Sequence, residues 1–388
     1  MDQFDRLDAF LDRAGVDSYL VHAPATDSDQ RYLSGYDAND PYVTLYTPDR
    51  VAIMIKSLEY PRAKRESRAD AVRRPVDYGY SPYGSPEDHR DAVASFLAEF
   101  DVESVAVPVR FPAGHADGLR ERGIEVTPED EGVVARVRAI KADEEINHIR
   151  EAQRATEAAM QQAQALIENA TIEDGVLQHE GETLRAERLK RTLQRDLLDQ
   201  GYDLGEPIIA PGEQAADPHE RGSGPLRADE PILIDLAPRD EASKYHADMT
   251  RTVLRGEPSD EIRERFEVTR EALEAAIATI EPGVTGAEVH DAVCDVYEEA
   301  GYATLRSNPD TETGFIHATG HGVGLDGHEL PSVGPGGADL EPGHAVTIEP
   351  GLYDPAFGGI RIEDLVVVTE DGHENLTEYP IELAVGPE

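Results

Sequence analysis

The chain has a single cysteine, few lysines and no long apolar run. Cys294 is the one cysteine among 388 residues, so no disulfide can form within the chain. Its helix-like surroundings predict a small buried residue. No apolar stretch approaches the roughly 20 residues of a membrane-spanning helix. The first residues lack the basic and then apolar pattern of a secretory signal, so we expect a cytoplasmic protein.

Positive charge is also scarce. Lysine and arginine together number 36 against 79 aspartates and glutamates, which gives a formal net charge of −43. Nucleic acids and anionic membranes require clustered cations, so neither is an expected partner. A lysine-poor, acidic surface is typical of a halophilic enzyme, because dense ions in a high-salt cytoplasm screen the self-repulsion. An ordinary acidic protein is the alternative.

The hydrophobic pattern predicts two domains. Residues 1–139 show a helical stripe (Phe4, Leu7, Phe10, Leu11), then short apolar runs typical of buried strands, which indicates an α/β domain. Residues 140–388 alternate helices with short strands and glycine-rich turns. The predicted helices cover 142–166, 180–201, 260–280 and 284–300, and the stretch 205–224 is rich in loops. The scattered histidines are predicted to be solvated or hydrogen-bonded: His22, His89, His115, His344 and His373.

Four carboxylates of the second domain lie in or beside apolar, strand-like segments. They are Asp235, Asp248, Glu349 and Glu363. An ionised carboxylate inside a sheet must be paired or must bind a metal, and few basic residues stand near these four. Asp248 follows Asp235 at nearly the same spacing as Glu363 follows Glu349. This echo suggests two related halves, each with an acid–hairpin–acid unit, facing one site.

Such carboxylates can bridge two cations about 3.5–4 Å apart, the spacing of two-metal hydrolases. The hard oxygen ligands favour manganese, cobalt(II), iron(II) or zinc over copper. A glycine-rich segment, 317–329, adds three histidines. His321, between two glycines, is the best ligand candidate, and His317 and His328 would serve substrate binding or proton transfer. His219 lies in a loop that could cover the site.

These segments resemble the pita-bread metallopeptidases, the family of aminopeptidase P and prolidase. The resemblance rests on IDLAPRDEASKYHADMTRT, GHGVGLDGHELP, TIEPGLY and GIRIEDLVVVTEDG. The segment QRYLSGY near the start resembles the creatinase-type N-terminal domain of the same family. The implied fold is of the α/β (α+β) class. A creatinase-like domain, 1–139, precedes a pita-bread domain, 140–388, whose pseudo-twofold related halves surround a curved antiparallel sheet.

The resemblance also implies a site and a reaction. Asp235 would hold one metal, His321 and Glu349 the other, with Asp248 and Glu363 bridging. A metal-bridging hydroxide would attack an Xaa-Pro peptide bond, with manganese as the expected metal and a homodimer as the expected assembly. The implied catalytic residues are His219, His328 and Glu349, and the implied substrate-binding residues are His317, Tyr353 and Arg361.

Several alternatives stay open at the level of sequence. Dipeptidase and aminopeptidase activity are not distinguished. A creatinase-like or other C–N hydrolase and a non-catalytic peptide-binding protein are the rival functions, although the complete ligand set argues against both. The chain departs from the family pattern at Glu220, in a slightly longer hairpin between Asp235 and Asp248, and over residues 173–205. These departures concern the substrate pocket rather than the metal ligands.

Overall fold

The computed structural model describes residues 4–81 and 85–386. The chain divides into two compact units, Met1–Arg138 and Ala139–Glu388. This division falls one residue before the domain boundary predicted between residues 139 and 140. Among the described residues, no helix is both long and apolar enough to cross a membrane.

The first unit is an α/β domain built on one mixed sheet. The strand order is β4-β3-β2-β1-β5-β6, in which β2 runs antiparallel to both neighbours and the other pairs are parallel. The helical stripe predicted at the start is confirmed, because Leu7, Phe10 and Leu11 are buried. The strands are β1 (Ser18–Ala23), β2 (Tyr42–Thr47), β3 (Arg50–Met54), β4 (Ala71–Arg73), β5 (Ser104–Pro108) and β6 (Glu125–Glu129). The helices are α1 (Asp5–Ala14), α2 (Ser28–Ser34), α3 (Tyr60–Glu66), α4 (Pro86–Glu99), α5 (Ala113–Arg120) and, at the end, α6 (Val133–Ala139), with a 3-10 turn at Pro75–Tyr78.

Three histidines that are far apart in the sequence meet near one end of this sheet. The ring centroid of His22, near the end of β1, lies 4.3 Å from that of His115 on α5 and 5.5 Å from that of His89 on α4. Nδ1 of His22 is buried, and no atom of residues 4–81 or 85–386 forms a hydrogen bond with it. The prediction of separate histidines, each solvated or hydrogen-bonded, is therefore wrong here, because the fold packs their rings together.

The second unit consists of helices and short strands. The helices are α7 (Asp143–Glu168), α8 (Ala186–Asp199), α9 (Asp260–Thr279) and α10 (Gly286–Glu299), with a 3-10 turn at Gly212–Ala216. The strands of its first half are β7 (Thr171–Glu173), β8 (Val176–His179), β9 (Glu182–Thr183), β10 (Tyr202–Asp203), β11 (Ile208–Pro211), β12 (Ile232–Leu236), β13 (Arg239–Asp240) and β14 (Met249–Arg255). Those that follow are β15 (Gly320–Gly322), β16 (Glu329–Val333), β17 (Ala345–Ile348), β18 (Gly351–Asp354), β19 (Gly358–Arg361), β20 (Asp364–Thr369), β21 (Gly372–Asn375) and β22 (Ala384–Val385).

Two sheets form the halves of this unit. One has the order β11-β12-β14-β22 and the other β16-β15-β17-β20-β21. Side chains of α7 and α8 pack on the first sheet with Ile209, Ile232 and Val253. Those of α9 and α10 pack on the second with Val346 and Val366. The expected fold class is confirmed, since each half is a sheet backed by a helix pair.

The hairpin echo is also present. Asp235 pairs with Thr250 across antiparallel β12 and β14, and Ile348 pairs with Asp364 across antiparallel β17 and β20. The halves join where the amide of Glu363 donates to the carbonyl of Thr250 at 3.0 Å. The second acid of each pair therefore lies close to the contact between the halves.

The region 171–224 differs from the prediction. The helix predicted over 180–201 begins at Ala186, because the preceding residues form the three-stranded sheet β7-β8-β9. Two-residue turns with positive φ join these strands, at Asp174-Gly175 and Glu180-Gly181. Such turns close hairpins tightly, and Asp-Gly is their strongest sequence signal. The predicted loop 205–224 contains β11 and the 3-10 turn.

Candidate metal centre

Acidic side chains from both halves of the second unit line one cavity of about 790 Å³. Asp235 lies in β12 and His321 in β15, whereas Asp248, Glu349 and Glu363 occupy short breaks beside β14, β17 and β20. All five line the cavity. A charged side chain is costly on the apolar sheet face that packs on helices. Three of the four acids lie where the hydrogen bonding between strands is interrupted.

The candidate ligands fall into two overlapping groups. Ligand atoms of Asp235, Asp248 and Glu363 lie within 4.8 Å of one another, and so do those of His321, Glu349 and Glu363. Glu363 belongs to both groups and therefore stands between two positions where a cation can bind. A third such group joins Asp248, His321 and His328.

The imidazole of His321 is oriented to offer a lone pair to a cation. Its Nδ1 lies 3.1 Å from the carbonyl of Gly322, so Nδ1 carries the proton and donates it. Nε2 then faces the acids, 3.4 Å from Oε1 of Glu349 and 3.9 Å from Oδ2 of Asp248. Burial lowers the pKa of His321 to about 4, which keeps the ring neutral. A neutral imidazole held by its other nitrogen is the usual form of a metal-binding histidine.

The carboxylates repel one another. Burial, followed by the charges of neighbouring acids, raises the pKa of Asp248 and of Glu363 well above their usual ranges. Burial raises the pKa of Glu349 to about 7 despite the opposing charge of Arg361. This crowding is what a pair of divalent cations would relieve, and hard oxygens with one imidazole suit such ions. The residues present therefore fit two divalent metals.

Threonine hydroxyls hold two of the acids in place. Thr250 Oγ1 donates to Oε2 of Glu363 at 2.8 Å. Thr347 Oγ1 contacts Oε1 of Glu349 at 3.4 Å and accepts from the amide of His321 at 3.1 Å. Neither threonine was predicted to have a role at this site. Each stands two positions from a candidate ligand, so strand alternation was the signal that could have identified both.

Close backbone packing explains the glycines around His321. A Cβ at Gly320 would lie 1.9 Å from the carbonyl oxygen of Thr347, and one at Gly322 would lie 2.1 Å from that of Leu330. Strand β15 is thus held between β16 and β17 at a separation that only glycine allows on either side of His321. These two glycines therefore allow the backbones on both sides of His321 to approach closely.

A buried hydrogen-bond network forms another part of the cavity wall. The Arg361 guanidinium donates to Oδ2 of Asp235 at 2.6 Å and to the Tyr353 hydroxyl at 2.9 Å. Nδ1 of His317 donates to the carbonyl of Ala318 at 2.6 Å, which leaves Nε2 to accept from Tyr353 at 2.9 Å. Burial lowers the pKa of His317 to about 3, in keeping with this neutral tautomer. The structure therefore brings together the three residues expected to bind substrate.

Of the other histidines named from the sequence in the second unit, two line the cavity and two do not. His219 and His328 are exposed and line the cavity, and the His328 ring stacks on that of His321 with centroids 3.6 Å apart. His344 and His373 lie outside the cavity lining. Nδ1 of His344 accepts from the amide of Glu341 at 3.0 Å, and Nδ1 of His373 donates to the carbonyl of Ile280 at 2.9 Å. Both histidines are thus hydrogen-bonded, as predicted.

Two family models match the chain. The model of metallopeptidase family M24 matches residues 147–370. The creatinase/prolidase N-terminal domain matches residues 3–152. The match to the metallopeptidase model therefore includes every candidate metal ligand.

Individual relatives carry consistent names. An Xaa-Pro dipeptidase from Lactobacillus delbrueckii subsp. lactis is 34% identical over 66% of this chain, an alignment that spans only 64% of that relative's length. An Xaa-Pro dipeptidase from Pyrococcus furiosus is 28% identical over 98% of this chain and 99% of its own. A solved structure, the Xaa-Pro dipeptidase from Bacillus anthracis, superposes with a TM-score of 0.82 at 27% identity over 99% of both chains.

Proposed function

The chain belongs to metallopeptidase family M24, and from that premise we propose that it hydrolyses Xaa-Pro peptide bonds. Support for the substrate comes from the relatives named as Xaa-Pro dipeptidases, two of which match over almost their whole lengths. The single observation that carries the proposal is the convergence of Asp235, Asp248, His321, Glu349 and Glu363 on one cavity.

These residues would hold two divalent metals. Asp235, Asp248 and Glu363 would hold one of them, and His321, Glu349 and Glu363 would hold the other. Two such cations polarise a carbonyl group and provide a deprotonated water near neutral pH. Manganese is the metal that we propose, on the grounds of the hard oxygen ligands.

The side chains around the metals would move and stabilise charge. Glu349, whose carboxylate lies in the cavity 3.4 Å from Nε2 of His321, would accept the proton released during attack. The exposed imidazoles of His328 and His219 would donate hydrogen bonds to the oxyanion and assist proton transfer to the leaving nitrogen. Arg361 and Tyr353 would keep Asp235 and His317 in fixed orientations through the observed hydrogen bonds.

The apolar part of the cavity lining suits a proline side chain. Apolar side chains line it beside the acids, among them Pro207, Ile208 and Ile316. A tertiary amide has no N–H to satisfy, so an apolar wall costs a proline substrate less than it costs other peptides. The homodimer and the cytoplasmic location remain predictions from the sequence.

The first test combines metal content with peptide hydrolysis. Wild-type protein and Asp248→Asn would be incubated with manganese in about 2 M KCl to screen the acidic surface, then assayed with Ala-Pro and Ala-Pro-Ala. We expect two bound metal ions and release of proline by the wild type, loss of both on chelation, and lower metal content with lost activity in the variant. Glu241→Gln removes an exposed carboxylate outside the cavity and should leave both unchanged.

Other results would redirect the assignment. Hydrolysis that persists in metal-free protein would contradict the proposal. Bound metal without turnover of any proline peptide would favour another amide or C–N substrate, such as that of a creatinase-like enzyme. Absence of metal binding together with absence of turnover would favour a peptide-binding protein.

A further inference from the structure

Three histidines of the first unit have no part in the proposed hydrolysis. His22 lies in β1, His89 in α4 and His115 in α5. Their ring centroids are 4.3 Å apart for His22 and His115, 5.5 Å for His22 and His89, and 5.4 Å for His89 and His115. Imidazole is a ligand that suits zinc, copper and nickel, so this histidine triad has the composition of a transition-metal site.

The separations of the rings match those of imidazoles that share one metal ion. A zinc–nitrogen bond of about 2.0–2.1 Å places the centroid of a bound ring roughly 3.2 Å from the metal. Two such rings at a tetrahedral angle have centroids roughly 5.2 Å apart. The observed distances of 4.3, 5.4 and 5.5 Å lie around this value. The three rings can therefore surround one ion without a large shift of the elements that carry them.

The ring nitrogens still have to converge. Among the described residues, the groups of three ligands already within 4.8 Å of one another consist of residues that line the cavity, so at least one ring of the triad must turn. A half-turn about χ2 exchanges ring nitrogens with ring carbons and leaves the centroid almost in place. The χ2 torsion of histidine is broad and roughly two-fold, which makes such a turn inexpensive. All three histidines are half-buried rather than fully enclosed.

The backbone beneath the rings is held by the core of the first unit. Leu20 of β1, Phe96 of α4 and Leu119 of α5 are buried in one hydrophobic cluster. Just after α5, Nε of Arg122 donates to Asp91 of α4 at 2.7 Å, which connects the two helices. Because the three elements are already fixed, little conformational freedom is lost when an ion binds between them.

The imidazoles are in the protonation state that a metal requires. Burial lowers the pKa of His22 to about 3, that of His115 to about 4, and that of His89 below its usual value. A neutral imidazole keeps a lone pair for a metal. Nδ1 of His22 is buried and forms no hydrogen bond with the described part of the chain. A bond to a metal would satisfy this atom, whose burial without a partner costs free energy.

Two basic side chains act on the triad, Lys56 on His89 and Arg90 on His115. Each is paired with an acid. Lys56 Nζ lies 2.8 Å from Asp40, and Nη1 of Arg90 lies 2.6 Å from Glu87. The acids offset the repulsion that the two cations would exert on a metal ion.

We propose that His22, His89 and His115 bind one transition-metal ion of the zinc class, with water in the fourth position, at a site separate from the acidic metal centre. This site goes beyond the proposed peptidase function and does not depend on it. Three imidazoles select zinc over manganese, whereas the acidic centre consists mainly of hard oxygens. The ion connects β1, α4 and α5, so it stabilises the first unit when bound.

The test counts zinc ions bound to the full-length protein. Wild type, His89→Gln and His115→Gln would be equilibrated with zinc buffered by a weak chelator, which removes loosely held ions, and analysed by mass spectrometry for metal content. We expect each variant to hold one zinc ion fewer than the wild type, whatever number the acidic centre holds. The loss of affinity should exceed the roughly 10- to 100-fold that follows removal of an outer-shell partner, because a ligand itself is removed.

A matched histidine variant and two further measurements serve as controls. His373→Gln removes an exposed histidine of the second unit outside the cavity lining, and should leave the zinc count unchanged. Circular dichroism without zinc shows whether the variants are folded. Zinc should raise the melting temperature more in the wild type and in His373→Gln than in either triad variant, because an ion that binds only the folded state stabilises it.

Three results would overturn the proposal. Equal zinc content in the wild type and both triad variants would show that the three rings only pack together. Loss of zinc confined to one triad variant would contradict a site with three histidine ligands. An equal loss in His373→Gln would mean that zinc is held unspecifically by exposed histidines. None of these results bears on the hydrolysis of Xaa-Pro peptides, which the manganese assay tests separately.

Discussion

At the scale of single residues, the hydroxyl of Tyr353 connects two groups of the cavity wall. It accepts from Arg361 and donates to His317, each at 2.9 Å, and the side chain is fully buried. The pKa of Tyr353 is raised to about 12, mainly by burial, so the hydroxyl keeps its proton at all working pH values. It can therefore act as a donor toward the neutral His317 ring throughout.

Replacement of this tyrosine by phenylalanine tests the network. Tyr353→Phe should retain the fold and the bound metals, because no candidate ligand is changed. It should lower kcat/KM on Ala-Pro by roughly ten- to a hundredfold, since Arg361 and His317 each lose a buried hydrogen-bond partner. Metal analysis and steady-state kinetics provide the measurement. Unchanged kinetics would show that the network only fills space.

At the scale of elements, the histidine cluster at the end of β1 makes the first unit sensitive to acid. Burial, followed by the neighbouring histidines, lowers the pKa of His22 from 6.5 to about 3. Burial also lowers the pKa of His115 to about 4. Because the unfolded chain binds these protons more readily, the stability is present above the unfolded pKa and is lost as pH falls toward the folded values.

We therefore expect His22→Phe to reduce the acid sensitivity of the fold. Between pH 6.5 and the folded pKa of His22, each pH unit should cost up to about 1.4 kcal/mol of stability through this histidine alone. Calorimetric unfolding at several pH values would measure this. The melting temperature of the variant should fall less steeply between neutral pH and about pH 5. Parallel curves for variant and wild type would contradict the assignment.

A second element-scale feature is the buried ion pair between Lys141, just before α7, and Glu329 at the start of β16. Lys141 Nζ lies 2.6 Å from Oε1 of Glu329, and the two side chains are only 1% and 3% exposed. This ion pair connects the start of α7 with the segment that contains His328. Removing one partner leaves a buried charge without its counter-ion.

Lys141→Met should therefore destabilise the second unit by about 3–5 kcal/mol. The exposed pair Lys56–Asp40 offers a control, with N···O at 2.8 Å and side chains 60% and 58% exposed. Lys56→Met should cost no more than about 1 kcal/mol. Denaturant unfolding of both variants gives the comparison. Equal losses would mean that burial does not determine the strength of the Lys141 interaction.

At the scale of the whole molecule, the net charge of −43 opposes compaction in dilute buffer. Salt screens this repulsion, with a Debye length of about 10 Å at 0.1 M and about 3 Å at 1 M. We expect the melting temperature and the activity to rise from about 0.1 M to about 2 M KCl. Full stability and activity at the lower concentration would refute the high-salt interpretation and favour an ordinary acidic protein.

Much of the architecture was predictable. Helical periodicity located α1, α7, α9 and α10 to within a few residues, and the apolar runs located the central strands of the first unit. The helix predicted over 180–201 is present but begins later, at Ala186, because the Glu180-Gly181 turn and the short strand β9 after it were not recognised. Local patterns therefore suffice for long, amphipathic elements and fail where short turns decide.

The site was predictable in part, for a physical reason. The five candidate ligands stand in distinctive local sequences, and the sequence alone determined their chemical types, their order and the family to which they point. Only the tertiary structure decided that Lys141 meets Glu329 and that His22 meets His89 and His115. These contacts join residues on different elements, so they depend on how the elements pack and leave no periodic trace in either segment.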